Sequence, residues 1–170
     1  MVGLIRSTRV LALAAVALAA SAGAARAQMA VTASVNPALT VSSPAGLDFG
    51  AVTKPSITTI AFNAANTGLL QVVGASNADI LVTFPTTVTF NGPGTAPTYQ
   101  ILPSSVGTKQ LSTGTCDRTG VSLIDVTTGT LTPNLGSGGI LCYTVGGKLT
   151  TTNATTSGSF NGTLTITVSY

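Results

Sequence analysis

From Gly162 to Tyr170 the chain reads Gly-Thr-Leu-Thr-Ile-Thr-Val-Ser-Tyr, polar and apolar in unbroken alternation. A period of two puts Leu164, Ile166, Val168 and Tyr170 on one face and Thr163, Thr165 and Thr167 on the other, the pattern of a β-strand with one side on a core. A strand of this kind must pair with another strand. That requirement limits the chain to sheet architectures and makes the identity of the pairing partners the central functional question.

Similar short alternations recur along the sequence. Ala30–Val35 ends at Asn36-Pro37, Ala38–Val41 resumes the pattern, and Leu47–Val52, Ser56–Phe62 and Leu69–Val73 follow. Ile80–Phe84 and Thr87–Phe90 flank Pro85, which suits an edge or a bend. Later come Thr98–Leu102, Val121–Val126, Ile140–Val145 and Lys148–Thr151. Asn91-Gly92-Pro93-Gly94 reads as a turn and Gly146-Gly147 as a hairpin turn. About ten short strands with frequent turn signals, rich in Thr and Val, predict a single antiparallel immunoglobulin-like β-sandwich, an all-β fold.

Residues 1–27 read as an export signal. Arg6 and Arg9 form a basic start, Val10–Ala20 an apolar stretch short for a bilayer span, and Ala25-Arg26-Ala27 a small-x-small cleavage site. The alternative is an uncleaved membrane anchor, which the shortness of the apolar stretch disfavours. The expected organisation is a signal peptide over 1–27, an alternating N-terminal segment over 28–37 and a sandwich domain over 38–170. The protein is then exported to the periplasm, cell surface or medium, with no stable membrane insertion after cleavage.

Removing the signal changes the electrostatics. The full sequence has a formal charge of +3. Beyond residue 27, Lys54, Lys109, Arg118 and Lys148 balance Asp48, Asp79, Asp117 and Asp125. Nucleic-acid binding needs clustered positive charge, and this balanced set gives no basis for a nucleic-acid partner.

Cys116 and Cys142 are the two cysteines of the sequence. An even count behind an export signal predicts a disulfide. Closing a loop of that size stabilises a fold by about 3 kcal/mol on the chain-entropy model. A redox-active pair would call for Cys-x-x-Cys spacing or a neighbour that lowers the thiol pKa.

Catalytic constellations are hard to assemble from these residues. There is no His to serve as the base of a hydrolase triad, and the four acids are all Asp, scattered along the sequence. Metal sites want clustered Cys and His or closely spaced oxygen ligands. The expectation is a non-enzymatic protein without catalytic residues, metal or cofactor. The threonine row at 163, 165 and 167 could order water or sugar, but it is also what any solvent-facing strand shows.

Three motifs carry a family resemblance: Leu47-Asp48-Phe49-Gly50, Gly146-Gly147-Lys148-Leu149-Thr150, and Gly158-Ser159-Phe160-Asn161-Gly162 leading into the terminal strand. Together they resemble the bacterial secreted family called domain of unknown function 4402, across essentially everything beyond the signal. The cysteine pair is not part of that pattern. The two ends are also similar to pilin subunits of chaperone–usher fimbriae, including the spore-coat-U-like archaic type. That second resemblance implies a sandwich lacking one strand, filled first by a chaperone strand and then by the N-terminal extension of the next subunit. Met29–Val35 would be the donor segment, with Val31, Ala33 and Val35 entering a groove edged by Leu164, Ile166, Val168 and Tyr170.

Two functional readings follow. One is a structural subunit of a surface fibre or pilus-like assembly that polymerises by strand donation, with self-assembly or a periplasmic chaperone supplying the partner. The other is a self-contained secreted sandwich that binds a polysaccharide or protein. In the second, Met29–Val35 is simply the first strand of a complete fold. Alternation is the same in both cases, although Asn36-Pro37 favours a separable segment because Pro interrupts strand pairing.

Overall fold

Most of the alternating segments become strands where one side chain in two meets apolar neighbours; Leu47–Val52, expected as a strand, instead lies outside any ladder, and among the described residues every ladder is antiparallel. The computed structural model describes Val35 and residues 37–170 except 86, 127 and 128. Residues Asn36–Tyr170 form one compact unit and Met1–Val35 another; the fold below is that of the larger unit. In sequence order its strands are β1 (Thr40–Ala45), β2 (Ser56–Ile60), β3 (Gly68–Val73), β4 (Leu81–Thr83), β5 (Phe90–Asn91), β6 (Thr98–Gln100) and β7 (Val106–Leu111). Then come β8 (Ser122–Ile124), β9 (Thr130–Leu131), β10 (Ile140–Val145), β11 (Gly147–Thr151), β12 (Asn161–Gly162) and β13 (Thr167–Ser169).

The largest sheet has the order β1-β3-β10-β7-β8. Its inner face contributes Val72, Val106, Leu141, Tyr143 and Val145 to a core completed from the other side by Val82, Phe84 and Leu135. The facing layer includes the sheet β13-β4-β9, and Leu131, Leu164, Ile166 and Val168 pack partly buried against the same core. A second three-stranded sheet, β2-β11-β6, buries Ile60, Leu149 and Tyr99. The protein is thus an all-β antiparallel sandwich, as the composition implies.

β10 is buried on both faces, which explains why its sequence does not alternate. Leu141, Tyr143 and Val145 face the core. Behind the intervening Cys142 lies the 112–121 loop, stapled by the disulfide Cys116–Cys142 with its Cα atoms 5.5 Å apart. The loop is fastened twice more. Lys109 Nζ donates to Asp117 Oδ1 at 2.6 Å and to the Thr119 carbonyl at 2.7 Å. Arg118 donates through Nε and Nη2 to the carbonyl of the fully buried Thr67, at 3.2 and 2.6 Å. The Lys109 ammonium and the Thr119 donors hold the Asp117 carboxyl down to about 2.

Two further expectations are corrected. Gly146-Gly147 is no hairpin turn: β10 pairs with β3 and β7, whereas β11 pairs with β2 and β6. The two glycines form a corner at which the backbone passes from one sheet to the other. A Cβ on Gly147 would lie 2.5 Å from the Tyr99 ring, at a φ of +152°, and one on Gly146 would meet the Ile60 carbonyl. Only glycine fits that crossing.

The terminal strand is also not continuous. It forms β12 and β13 at its ends, and Thr163–Ile166 between them belongs to no ladder. The cause lies in the opposite strand segment. Gly162 pairs with Phe90 and Thr167 with Thr83, so four residues on one side face six on the other, with Pro85 among the six. The surplus cannot stay in register.

Candidate docking groove

Leu47-Asp48-Phe49-Gly50 lies in an irregular stretch that continues from β1. Its shape is fixed locally. Asp48 Oδ1 accepts from the Gly50 amide at 2.8 Å, closing an Asx turn in which Gly50 takes a φ of +63°. Asn66 holds the same turn from outside, donating Nδ2 to the Asp48 carbonyl at 2.8 Å while its own carbonyl accepts from the Asp48 amide at 3.1 Å. The result aims Phe49 edge-on at Tyr99, with ring centroids 6.0 Å apart. Tyr99 is anchored in turn by donating Oη to the Gly146 carbonyl at 2.6 Å, and its burial pushes its phenol pKa up.

Around this aromatic pair opens a groove of about 1250 Å³. One wall runs from Ser43 to Val52 with Lys54, and the other from Ser157 to Ile166. Leu69, Leu70, Val145, Leu149 and Tyr99 contribute from the sheets, and Val88 and Phe90 from beside β12. The three motifs singled out in the sequence therefore meet in one place: Leu47–Gly50 on one wall, Leu149 within, and Gly158–Gly162 on the other wall. Lys54 Nζ donates to the carbonyl of Thr155, which also lines the groove just before the second wall, at 2.6 Å and so ties the first wall to the start of the second.

The walls share a second property. Gly46–Val52 and Thr163–Ile166 both run outside any ladder. Among the described residues β1 pairs with β3 alone. The groove is therefore bordered by two segments outside any ladder, with polar and apolar side chains both lining it.

The expected edge residues divide into two pairs. Leu164 and Ile166 line the groove and pack partly buried against the core. Val168 packs on the core from within β13 but does not line the groove. Tyr170 is half exposed and uses its hydroxyl elsewhere, donating to the Pro37 carbonyl at 2.8 Å and accepting from the Ala75 amide at 2.9 Å. Of the donor residues, Val31 and Ala33 lie outside the described residues, and Val35 is 90 % exposed. Sequence reasoning missed Tyr99 and Phe90, which lay in segments read as strands with no signal of a shared groove, while Phe160 stood within the third motif without being assigned to a groove.

Among the described residues no three His, Cys, Asp or Glu side chains gather where they could hold a metal ion. No protein-family model, no curated protein and no solved structure matches the sequence or its fold.

Proposed function

We propose that this protein is a non-enzymatic, exported structural subunit of a surface fibre, assembled by docking a strand of one copy into the groove of the next. The observation that carries the reading is the groove between Gly46–Val52 and Thr163–Ile166, lined by apolar side chains such as Phe49, Leu149, Leu164 and Ile166 among polar ones and flanked on both sides by backbone outside any ladder. An incoming strand would pair with backbone groups of those stretches other than the Asp48 amide and carbonyl and the Gly50 amide, which are already bonded within the fold, and would bury every second side chain.

The proposed occupant is Met29–Val35 of a second copy. Its alternation presents Val31, Ala33 and Val35 on one face, the format a sheet edge accepts. Burying these residues contributes on the order of 5 kcal/mol before ordering costs, at about 1.5–3 kcal/mol for each Val and less for Ala. The resemblance of the two ends to fimbrial subunits supports the same reading. In the exported compartment a chaperone strand would be the natural temporary occupant.

The test is the size distribution of the secreted protein by light scattering after chromatography. The intact protein beyond the signal should form oligomers. Deletion of residues 28–36 and, separately, Ile166→Asp should each leave monomers that retain the disulfide. A wild-type protein that is wholly monomeric when secreted, with no response to added Met29–Val35 peptide, contradicts the proposal.

A further inference from the structure

Two asparagine–glycine pairs occur in the sequence, Asn91-Gly92 and Asn161-Gly162, and the fold sets them face to face. β5 and β12 form a ladder of two residue pairs in which Asn161 is directly opposite Asn91 and Gly162 opposite Phe90. Both asparagines are exposed. Elsewhere the amide groups of Asn66 and Asn134 are held: Asn66 Nδ2 donates to the Asp48 carbonyl, and Asn134 Nδ2 donates to the Asn77 carbonyl and to Asp79. No such bond restrains Asn91 or Asn161 among the described residues.

The glycines are there for packing. Neither has a positive φ. A Cβ on Gly92 would sit 2.3 Å from the Phe160 ring, and one on Gly162 would sit 2.7 Å from Val88 and 3.1 Å from Phe90. The fold therefore requires, after each asparagine, the one residue whose backbone nitrogen has no Cβ shielding it. A ladder this short opens readily, because an isolated two-stranded pairing is marginal and its hydrogen bonds are exposed.

We propose that Asn91 and Asn161 are paired sites of spontaneous succinimide formation and deamidation, with water as the only co-reactant. The backbone nitrogen of the following glycine attacks Cγ of the asparagine. The new N–Cγ bond closes a five-membered ring as the bond from Cγ to the amide Nδ2 breaks, and ammonia leaves carrying the proton given up by the glycine nitrogen. Water then opens the ring at either carbonyl, giving aspartate or isoaspartate. No oxidation or reduction is involved. Each event adds a negative charge, and the isoaspartyl product adds a backbone methylene to a ladder of two residue pairs. Conversion of both places two carboxylates directly across from one another, a repulsive cross-strand pair. Phe90, Asn161 and Gly162 line the groove, so the altered ladder is one of its lips.

The experiment is peptide mapping by mass spectrometry of the intact, disulfide-bonded protein held at mildly alkaline pH and 37 °C, sampled over days. Expected is a gain of one mass unit appearing first in the peptides holding Asn91 or Asn161, with isoaspartate exceeding aspartate. Asn63, Asn77 and Asn153, each followed by Ala, should convert later. Earlier conversion at any of those three, conversion at neither Asn91 nor Asn161, or a product containing aspartate alone overturns the proposal. Because the wild-type protein is read directly, no variant has to fold for the test to decide.

Discussion

Tyr170 Oη donates a 2.8 Å hydrogen bond to the carbonyl of Pro37, a residue 133 positions earlier in the sequence. The same oxygen accepts from the Ala75 amide at 2.9 Å. Gly74 leaves room for it, since a Cβ there would lie 2.6 Å from the phenol oxygen. One hydroxyl therefore ties the terminal residue to the start of the domain and to the turn after β3. Tyr170→Phe keeps the ring and removes both bonds. Expected is a loss of about 1 kcal/mol in urea unfolding with an unchanged m-value, the usual net worth of partly exposed hydrogen bonds. An unchanged midpoint would show the clamp to be energetically idle.

The corner at Gly147 should be intolerant. Gly147→Ala drives a methyl group into the Tyr99 ring at a backbone angle that side chains rarely adopt. A loss of at least about 2 kcal/mol is expected, from strain and overpacking together. The same substitution displaces Tyr99 from Phe49, so binding of a Met29–Val35 peptide should weaken along with stability. A variant as stable as the wild type would mean that the corner relaxes freely.

Tyr143 offers the opposite sign. It is fully buried, edge-on to Phe84 at 5.6 Å, and among the described residues its hydroxyl has no hydrogen-bond partner. Burial pushes its pKa up. A buried hydroxyl without a partner carries its desolvation cost uncompensated. Tyr143→Phe is therefore expected to raise stability by about 1 kcal/mol, measured by chemical denaturation. A destabilised variant would reveal that the hydroxyl is satisfied in solution.

Acid should release the 112–121 loop in a defined range. The folded-state pKa of Asp117 is about 2, lowered from 3.8 by Lys109 and then Thr119. A depressed carboxyl stabilises the folded form fully above its unfolded pKa, and that contribution disappears as pH falls through the folded value. Between about pH 4 and pH 2 the loop should loosen while the disulfide keeps it attached. The protection of the Thr119 amide, its exchange rate relative to the intrinsic rate at each pH, should fall across that window in the wild type and stay constant in Asp117→Asn.

Much of the sandwich was legible residue by residue. β2, β6 and β11 alternate because one face is covered and the other wet, so a period of two identifies them. β10 could be placed but not understood, because its outer face is covered by a loop brought there through Cys116 and Arg118. The Gly146-Gly147 corner was misread because two glycines look alike in a hairpin and in a sheet crossing; Tyr99, some 47 residues away, decides between them. The break at Thr163–Ile166 was invisible from within that strand, since its cause is the surplus around Pro85 in the segment opposite. Likewise each of the three motifs stood out alone, while their meeting in one groove depends on contacts between residues far apart in sequence.

Strand exchange between copies can be observed directly. A photoreactive residue is placed at Ala33, isotopically light and heavy protein are refolded together, and the cross-linked peptides are sequenced by mass spectrometry. Expected are links from the 29–35 segment to Gly46–Val52 or Thr163–Ile166, with light–heavy pairs present at the proportion random mixing gives. Links formed solely within one molecule, or to residues outside the groove, would contradict docking in trans.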